Sequence, residues 1–230
     1  MCKSKINSKI CGHVQLKEIV NQDLLYRRYF YRSNTNKIMR NDLKNVVHSV
    51  LNIIKPCNDM IVLDIGSNDN TLLSFYPKKV KTFGFEPARN IKPIKNKKKI
   101  KVVNNYFNYK DWSIISKKKP RIITSCAMFY DLPNPNQFVE DINRVIDDKG
   151  IWCVQISYLL SMIKNMNFYD ICHEHLSYHS IDSMEQLMTN NNLKIFKIEL
   201  NEVNGGSIRF YVCKKNCEQY DTKENLSKIK

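Results

Sequence analysis

From residue 60 onward, short unbroken apolar runs alternate with stretches in which apolar residues recur every three or four positions. That texture predicts βαβ units around a mostly parallel sheet. The first strand is expected over 60–64, apolar enough to be buried on both faces, with a Gly-containing turn and a short helix at 71–75 behind it. Further strands are expected at 80–85, 101–104, 121–126 and 151–156. A helix over 136–146 carries Phe138, Ile142, Val145 and Ile146 on one face. After an irregular segment, a helix at 181–191 leads to two last strands, 194–200 and 207–213. Asn204, Gly205 and Gly206 join them, as suits an antiparallel hairpin at the sheet edge. Ahead of the sheet, 21–55 reads as a helical lead-in, because Leu43, Val46, Val47, Val50, Ile53 and Ile54 recur at helical intervals. The expected fold is α/β: a Rossmann-like sheet flanked by helices, spanning 56–214, with 1–20 as an appendage and 215–230 as a flexible, frayed tail.

At 230 residues and 43% hydrophobic content the chain can bury one sizeable core. No apolar run approaches the roughly 20 residues needed to cross a bilayer, so a soluble, cytoplasmic protein is expected. Cys126, Cys153 and Cys213 sit in apolar strand-like runs, where free cysteine behaves as a small buried hydrophobe in a reducing compartment. The formal charge of +15 raises the question of nucleic acid. The lysines of 92–101 and 117–119 alternate with Asn and Ile rather than with aromatics or Arg, which fits a solvated face.

A parallel sheet of this kind binds its ligand beyond the carboxyl ends of its strands. Asp64, Gly66, Asn68, Asp69 and Thr71 follow the first strand, and Glu86 and Pro87 end the second, roughly twenty residues on, where a carboxylate can take both hydroxyls of a ribose. Only Gly66 of the G-x-G-x-x-G dinucleotide pattern is present. Acids in place of the closely approaching glycines suit a cation better than a pyrophosphate; S-adenosylmethionine (SAM), with an ammonium and a sulfonium, meets that description. Cys126, which ends the fourth strand, and Met128, just after it, complete the expected cofactor set.

Residues 62–73, 84–88, 169–178 and 204–207, together with the Met128-Phe-Tyr-Asp-Leu-Pro133 segment, resemble the SAM-dependent sugar C-methyltransferases that act on nucleotide-linked deoxysugars and in polysaccharide biosynthesis. The resemblance implies a class I methyltransferase with a small-molecule acceptor, a nucleotide sugar or glycan precursor; a homodimer is compatible with it. Residues 11–16 match the tail of that family's N-terminal zinc module. Cys2 and Cys11 supply too few thiolates for a closed zinc site even if His13 were recruited, so 1–20 is expected to be a degenerate remnant without metal. The family also continues past the Gly-Gly-Ser hairpin into a further domain.

By the same resemblance, His175 is the candidate base, Glu174 its supporting carboxylate and His173 a loop-holding residue; Asp131 stands where relatives often have His, and Tyr29 and Tyr31 match a region that reaches over the acceptor. Methyl transfer from a sulfonium requires the acceptor to lose a proton, for which a histidine beside a carboxylate is suited. Cys172 replaces a Tyr of many C-methyltransferases, which leaves O-methylation open. His173 and His175 are two apart and share no helical face, so a metalloprotease reading fails. Two rivals stand beside this reading: an RNA-directed methyltransferase, motivated by charge, and a catalytically inactive SAM-binding remnant.

Overall fold

The computed structural model describes residues 5–6, 9–10, 13–95 and 99–220. Cys2 and Cys11, on which the zinc question turned, lie outside the described residues. Seven strands form the main sheet: β1 (Ile61–Ile65), β2 (Lys81–Phe85), β3 (Ile100–Val103), β4 (Ile122–Cys126), β5 (Ile151–Ser157), β6 (Leu193–Asn201) and β7 (Ser207–Lys214). Their order is β6-β7-β5-β4-β1-β2-β3. The β1–β2, β1–β4 and β2–β3 pairs are parallel and β6–β7 is antiparallel, as the alternation of apolar runs and helical segments predicts.

Two compact units make up the chain. Residues 21–125 and 144–153 form one. Every residue of β1 is buried. Helix α2 (Lys37–Ile53) buries Leu43, Val46, Val47 and Val50 and packs on the single-turn α3 (Thr71–Ser74). Trp112 of α4 (Tyr109–Ile115) meets Phe83 edge-on at 5.3 Å. The described residues of 1–20, with 126–143 and 154–220, belong to the other unit. There the β6–β7 hairpin buries Ile195, Ile198, Phe210 and Val212, and α7 (Ile181–Asn190) covers it with Met184 and Met188.

Two expectations need correction. The lead-in is not one helix: α1 spans only Gln22–Tyr26, a 3-10 turn spans Ser33–Thr35, and α2 starts where Asn36 caps the N–H groups of Ile38 and Met39. The intervening backbone gives its hydrogen bonds to Asn68, Asp69 and Asn90 instead of to itself. Residues 215–220, expected to fray, are packed, because Tyr220 stacks on Phe196 at 4.6 Å and Cys217 is buried. Two short helices carried no expectation: α4 and α6 (Leu159–Lys164). Each leaves at least half of its residues exposed and buries one, so neither writes a strong apolar stripe; α5 (Pro135–Val145) lies between them in the chain.

Candidate active site

The loop after β1 takes its shape from three left-handed residues, Gly66, Asn68 and Asn70, at φ 71°, 49° and 66°. Glycine and asparagine are the residues that adopt this conformation at least expense. The Gly66 and Ser67 N–H groups both donate to the Phe85 carbonyl, at 2.9 and 3.0 Å, which clamps the loop to the tip of β2. Gly84 lies beneath it; an added Cβ would come within 2.5 Å of Ser67 Oγ.

Asp64 and Glu86 stand at the ends of β1 and β2 and are both buried. Asp64 accepts the Thr124 hydroxyl at 2.6 Å, its direct partner in the parallel β1–β4 register. Loss of solvent pushes the Asp64 carboxyl up to about 7, against the pull of that hydrogen bond and with a smaller push from Glu86. Burial also raises Glu86, opposed by two backbone N–H donors: Asn68 to Oε2 at 2.7 Å and Ala88 to Oε1 at 2.8 Å. Asn104, just beyond β3, fixes the following turn by donating to the Glu86 and Ala88 carbonyls. Two carboxylates removed from water, with no cation beside them among the described residues, form a site that a positive ligand would stabilise. Ser67 Oγ, buried in the same loop without a partner, is a further polar atom available there.

The other expected cofactor residues are occupied with the chain itself. Asn68 Oδ1 accepts the Ser33 and Asp69 N–H groups, and its Nδ2 donates to the Tyr31 carbonyl. Asp69 accepts the Thr71 N–H and hydroxyl on one oxygen and the Asn34 N–H on the other. Tyr29 joins the same strap: its N–H and C=O are both bonded by the Asn90 side chain, at 2.9 and 2.8 Å, and Arg89 N–H donates to Arg27 O at 3.0 Å. Residues 27–34 are therefore laced to the loops after β1 and β2. Pro87 sits between the two bonded residues of the second loop. Thr124, Asn90 and Asn104 were not expected; register arithmetic along adjacent parallel strands could have found the first and last.

In the other unit, Cys126 ends β4, Ala127 turns at φ 52°, and Met128 leads into a 3-10 turn, Phe129–Asp131. This turn and the His-Glu-His segment come together: the Tyr130 and His175 rings lie 4.3 Å apart, and Ser177 Oγ donates to the Tyr130 carbonyl at 3.4 Å. His175 is half-buried and His173 is exposed, with Glu174 half-buried between them. His175 Nδ1 is bonded to the Asp170 carbonyl at 2.8 Å. A two-residue antiparallel pair, Val14–Gln15 with Ser177–Tyr178, ties residues 14–15 to this segment. Behind it His179 is fully enclosed; burial, and to a smaller degree His13 at 5.1 Å between ring centroids, lower it to about 3. Among the described residues no cluster of three or more His, Cys, Asp or Glu is placed to hold a metal ion.

Residues 26–198 match the protein family described as Methyltransferase domain. The chain belongs to that methyltransferase family. Among curated relatives of this methyltransferase, the C-methyltransferase NovU of Streptomyces niveus is 23% identical over 201 residues, covering 86% of the chain and 48% of NovU. The methyltransferase chain thus spans about half the length of that relative. Among solved structures, plantazolicin methyltransferase BpumL, in complex with a pentazolic desmethylPZN analog and SAH, superposes with a TM-score of 0.61 at 15% identity, over 80% of this chain and 87% of that one. Magnesium protoporphyrin IX methyltransferase ChlM from Synechocystis PCC 6803, with bound SAH, gives 0.58 at 8% identity, over 78% and 88%. These likenesses establish the fold, a Rossmann-like class I methyltransferase sheet. No helix among the described residues is long and apolar enough to cross a membrane.

Proposed function

We propose that this methyltransferase transfers a methyl group from SAM to a hydroxyl, or to a carbon beside a keto group, of a nucleotide-linked deoxysugar or glycan precursor. The observation that carries the donor assignment is the pair of buried carboxylates at the tips of β1 and β2, with Glu86 held in place by two backbone N–H groups. SAM supplies an electrophilic methyl group on a sulfonium. Each carboxylate oxygen of Glu86 keeps a second lone pair for a ribose hydroxyl. Asp64, near the end of β1, accepts the Thr124 hydroxyl and carries a burial penalty that a cation would relieve. Gly66 leaves space for a ligand against the backbone.

The acceptor chemistry falls to His175. A carbonyl oxygen only accepts hydrogen bonds, so the bond to Asp170 O places the neutral ring's proton on Nδ1 and its lone pair on Nε2. That atom is suited to remove the acceptor proton. The sugar class is supported by the likeness to NovU across most of the chain and by the motifs at 169–178 and 204–207.

Calorimetry with SAM and with its demethylated product tests the donor site, with Glu86→Ala expected to weaken binding by roughly 30-fold or more through loss of two charge-assisted hydrogen bonds. A methyl-transfer assay over a panel of nucleotide deoxysugars tests the acceptor. SAM binding with no transfer to any sugar, and no effect of His175→Ala, would favour the inactive remnant. Steeply salt-dependent RNA binding would favour a nucleic-acid acceptor instead.

A further inference from the structure

Asp170 closes the 3-10 turn Phe168–Asp170, five residues before His175, and is 6% exposed. It reaches the ring in two ways. Its backbone carbonyl takes the Nδ1 proton at 2.8 Å, and its side-chain carboxyl lies within electrostatic reach of the imidazole. The Ser157 hydroxyl, from the end of β5, donates to that carboxyl, while Oδ2 is buried without a hydrogen-bond partner. A half-satisfied carboxylate out of water is costly unless a positive charge stands near it. His175 becomes such a charge when it takes up a proton.

We propose that Asp170 is the positioning residue of His175: its main-chain carbonyl fixes the ring tautomer, and its carboxylate balances the imidazolium formed during turnover. Only the proton's source rests on the methyl-transfer reading. In that step the acceptor O–H or C–H bond breaks and the proton goes to Nε2. The electron pair left on the acceptor forms the new bond to the methyl carbon, and the carbon–sulfur pair stays on sulfur. One positive charge disappears at sulfur as another appears on His175, and the proton then leaves to solvent. The Asp170 carboxylate stabilises the second charge where it arises. Burial raises the Asp170 carboxyl, and His175 and the Ser157 hydroxyl oppose that rise. The other groups facing the pair are the Tyr130 ring from the turn after β4, Tyr178 and Cys172, which interact with each other and of which Tyr178 also senses Asp170, and His173 and Glu174 on the same segment.

The full-length protein, labelled at histidine and aspartate, permits a test by NMR titration, with the His175 ring assigned by His175→Gln. In His175→Gln the Asp170 side-chain carbon is expected to titrate higher than in the wild type, because the imidazolium that opposes its rise is gone. In the wild type, the Asp170 side-chain carbon is expected to respond to the same protonation that moves the assigned His175 ring signals, a measurement that needs no variant to fold. An Asp170 titration in His175→Gln unchanged from the wild type, with the amide spectrum otherwise unchanged, would overturn the pairing, as would a wild-type Asp170 signal blind to His175. In the methyl-transfer assay Asp170→Asn is expected to lower kcat about tenfold with KM for SAM unchanged. If no acceptor is methylated by any variant, the methyl-transfer reading fails while the titrations still decide the pairing.

Discussion

Binding of SAM is expected to expel a proton from Asp64. The carboxyl is buried and titrates at about 7 in the free protein, about three units above an unfolded aspartate. Between those values the folded chain holds a proton that the unfolded chain has lost, so stability falls as pH rises from about 4 to about 7 and is level above. The full penalty is at most about 4 kcal/mol. A cation beside Asp64 favours its charged form, so the bound state needs it ionised. At pH 6 about nine-tenths of free molecules carry the proton and at pH 8 about one-tenth, which makes the affinity for SAM rise about tenfold across that range. Calorimetry at pH 6, 7 and 8, in two buffers of different ionisation heat, reads both the affinity and the released proton, close to half a proton per site at pH 7. Asp64→Asn in the same buffers subtracts the donor's own ionisation and should flatten the dependence. An affinity that is constant with pH, with no buffer-dependent heat beyond that of Asp64→Asn, would refute the picture of a carboxylate awaiting a cation.

Asn68→Ala removes the side chain that holds Tyr31 and Ser33; it should speed SAM release roughly tenfold in stopped-flow fluorescence while leaving the thermal midpoint of the free protein within a few degrees. Gly206→Ala should destabilise by about 2 kcal/mol in denaturant melts, because φ is +121° and the new Cβ would lie 2.6 Å from the Ser161 Cβ. His179, lowered to about 3 by burial, is the opposite case to Asp64: the folded state refuses a proton that the unfolded state takes below about 6.5, so its contribution is lost as pH falls from there toward 3. His179→Phe should therefore lessen the acid sensitivity of unfolding between pH 6 and pH 4, and an unchanged slope of stability against pH would count against an enclosed neutral ring.

Strong local patterns made much of the fold readable. The unbroken apolar run of β1, the amphipathic 136–146 stretch and the Gly-Gly hairpin each appear within a residue or two of the positions expected from the sequence. The left-handed geometry of the loop carried no expectation, although glycine and asparagine alternate where it is required. Asn68 and Asp69 lie on the loop after β1 and Thr71 opens α3, but the Asn68 and Asp69 side chains serve the strap at 27–34, a destination set by contacts over thirty positions apart. Asp170 escaped notice for a similar reason: nothing in its neighbourhood marks a carboxylate as functional until a 3-10 turn brings its carbonyl to His175. The short pairing of Val14–Gln15 is invisible to periodicity, because two residues cannot display a period.

The way the two units share the chain bears on how the protein is made. Residues 21–125 and 144–153, which carry the proposed SAM-binding loop, are all synthesised before the final hairpin exists. Val14 and Gln15 find their strand partners only at Ser177–Tyr178, roughly 160 residues later. Such distant pairings close slowly. The N-terminal segment must therefore wait while the intervening sheet assembles, and the His175 segment gains its last lateral support only late in biogenesis.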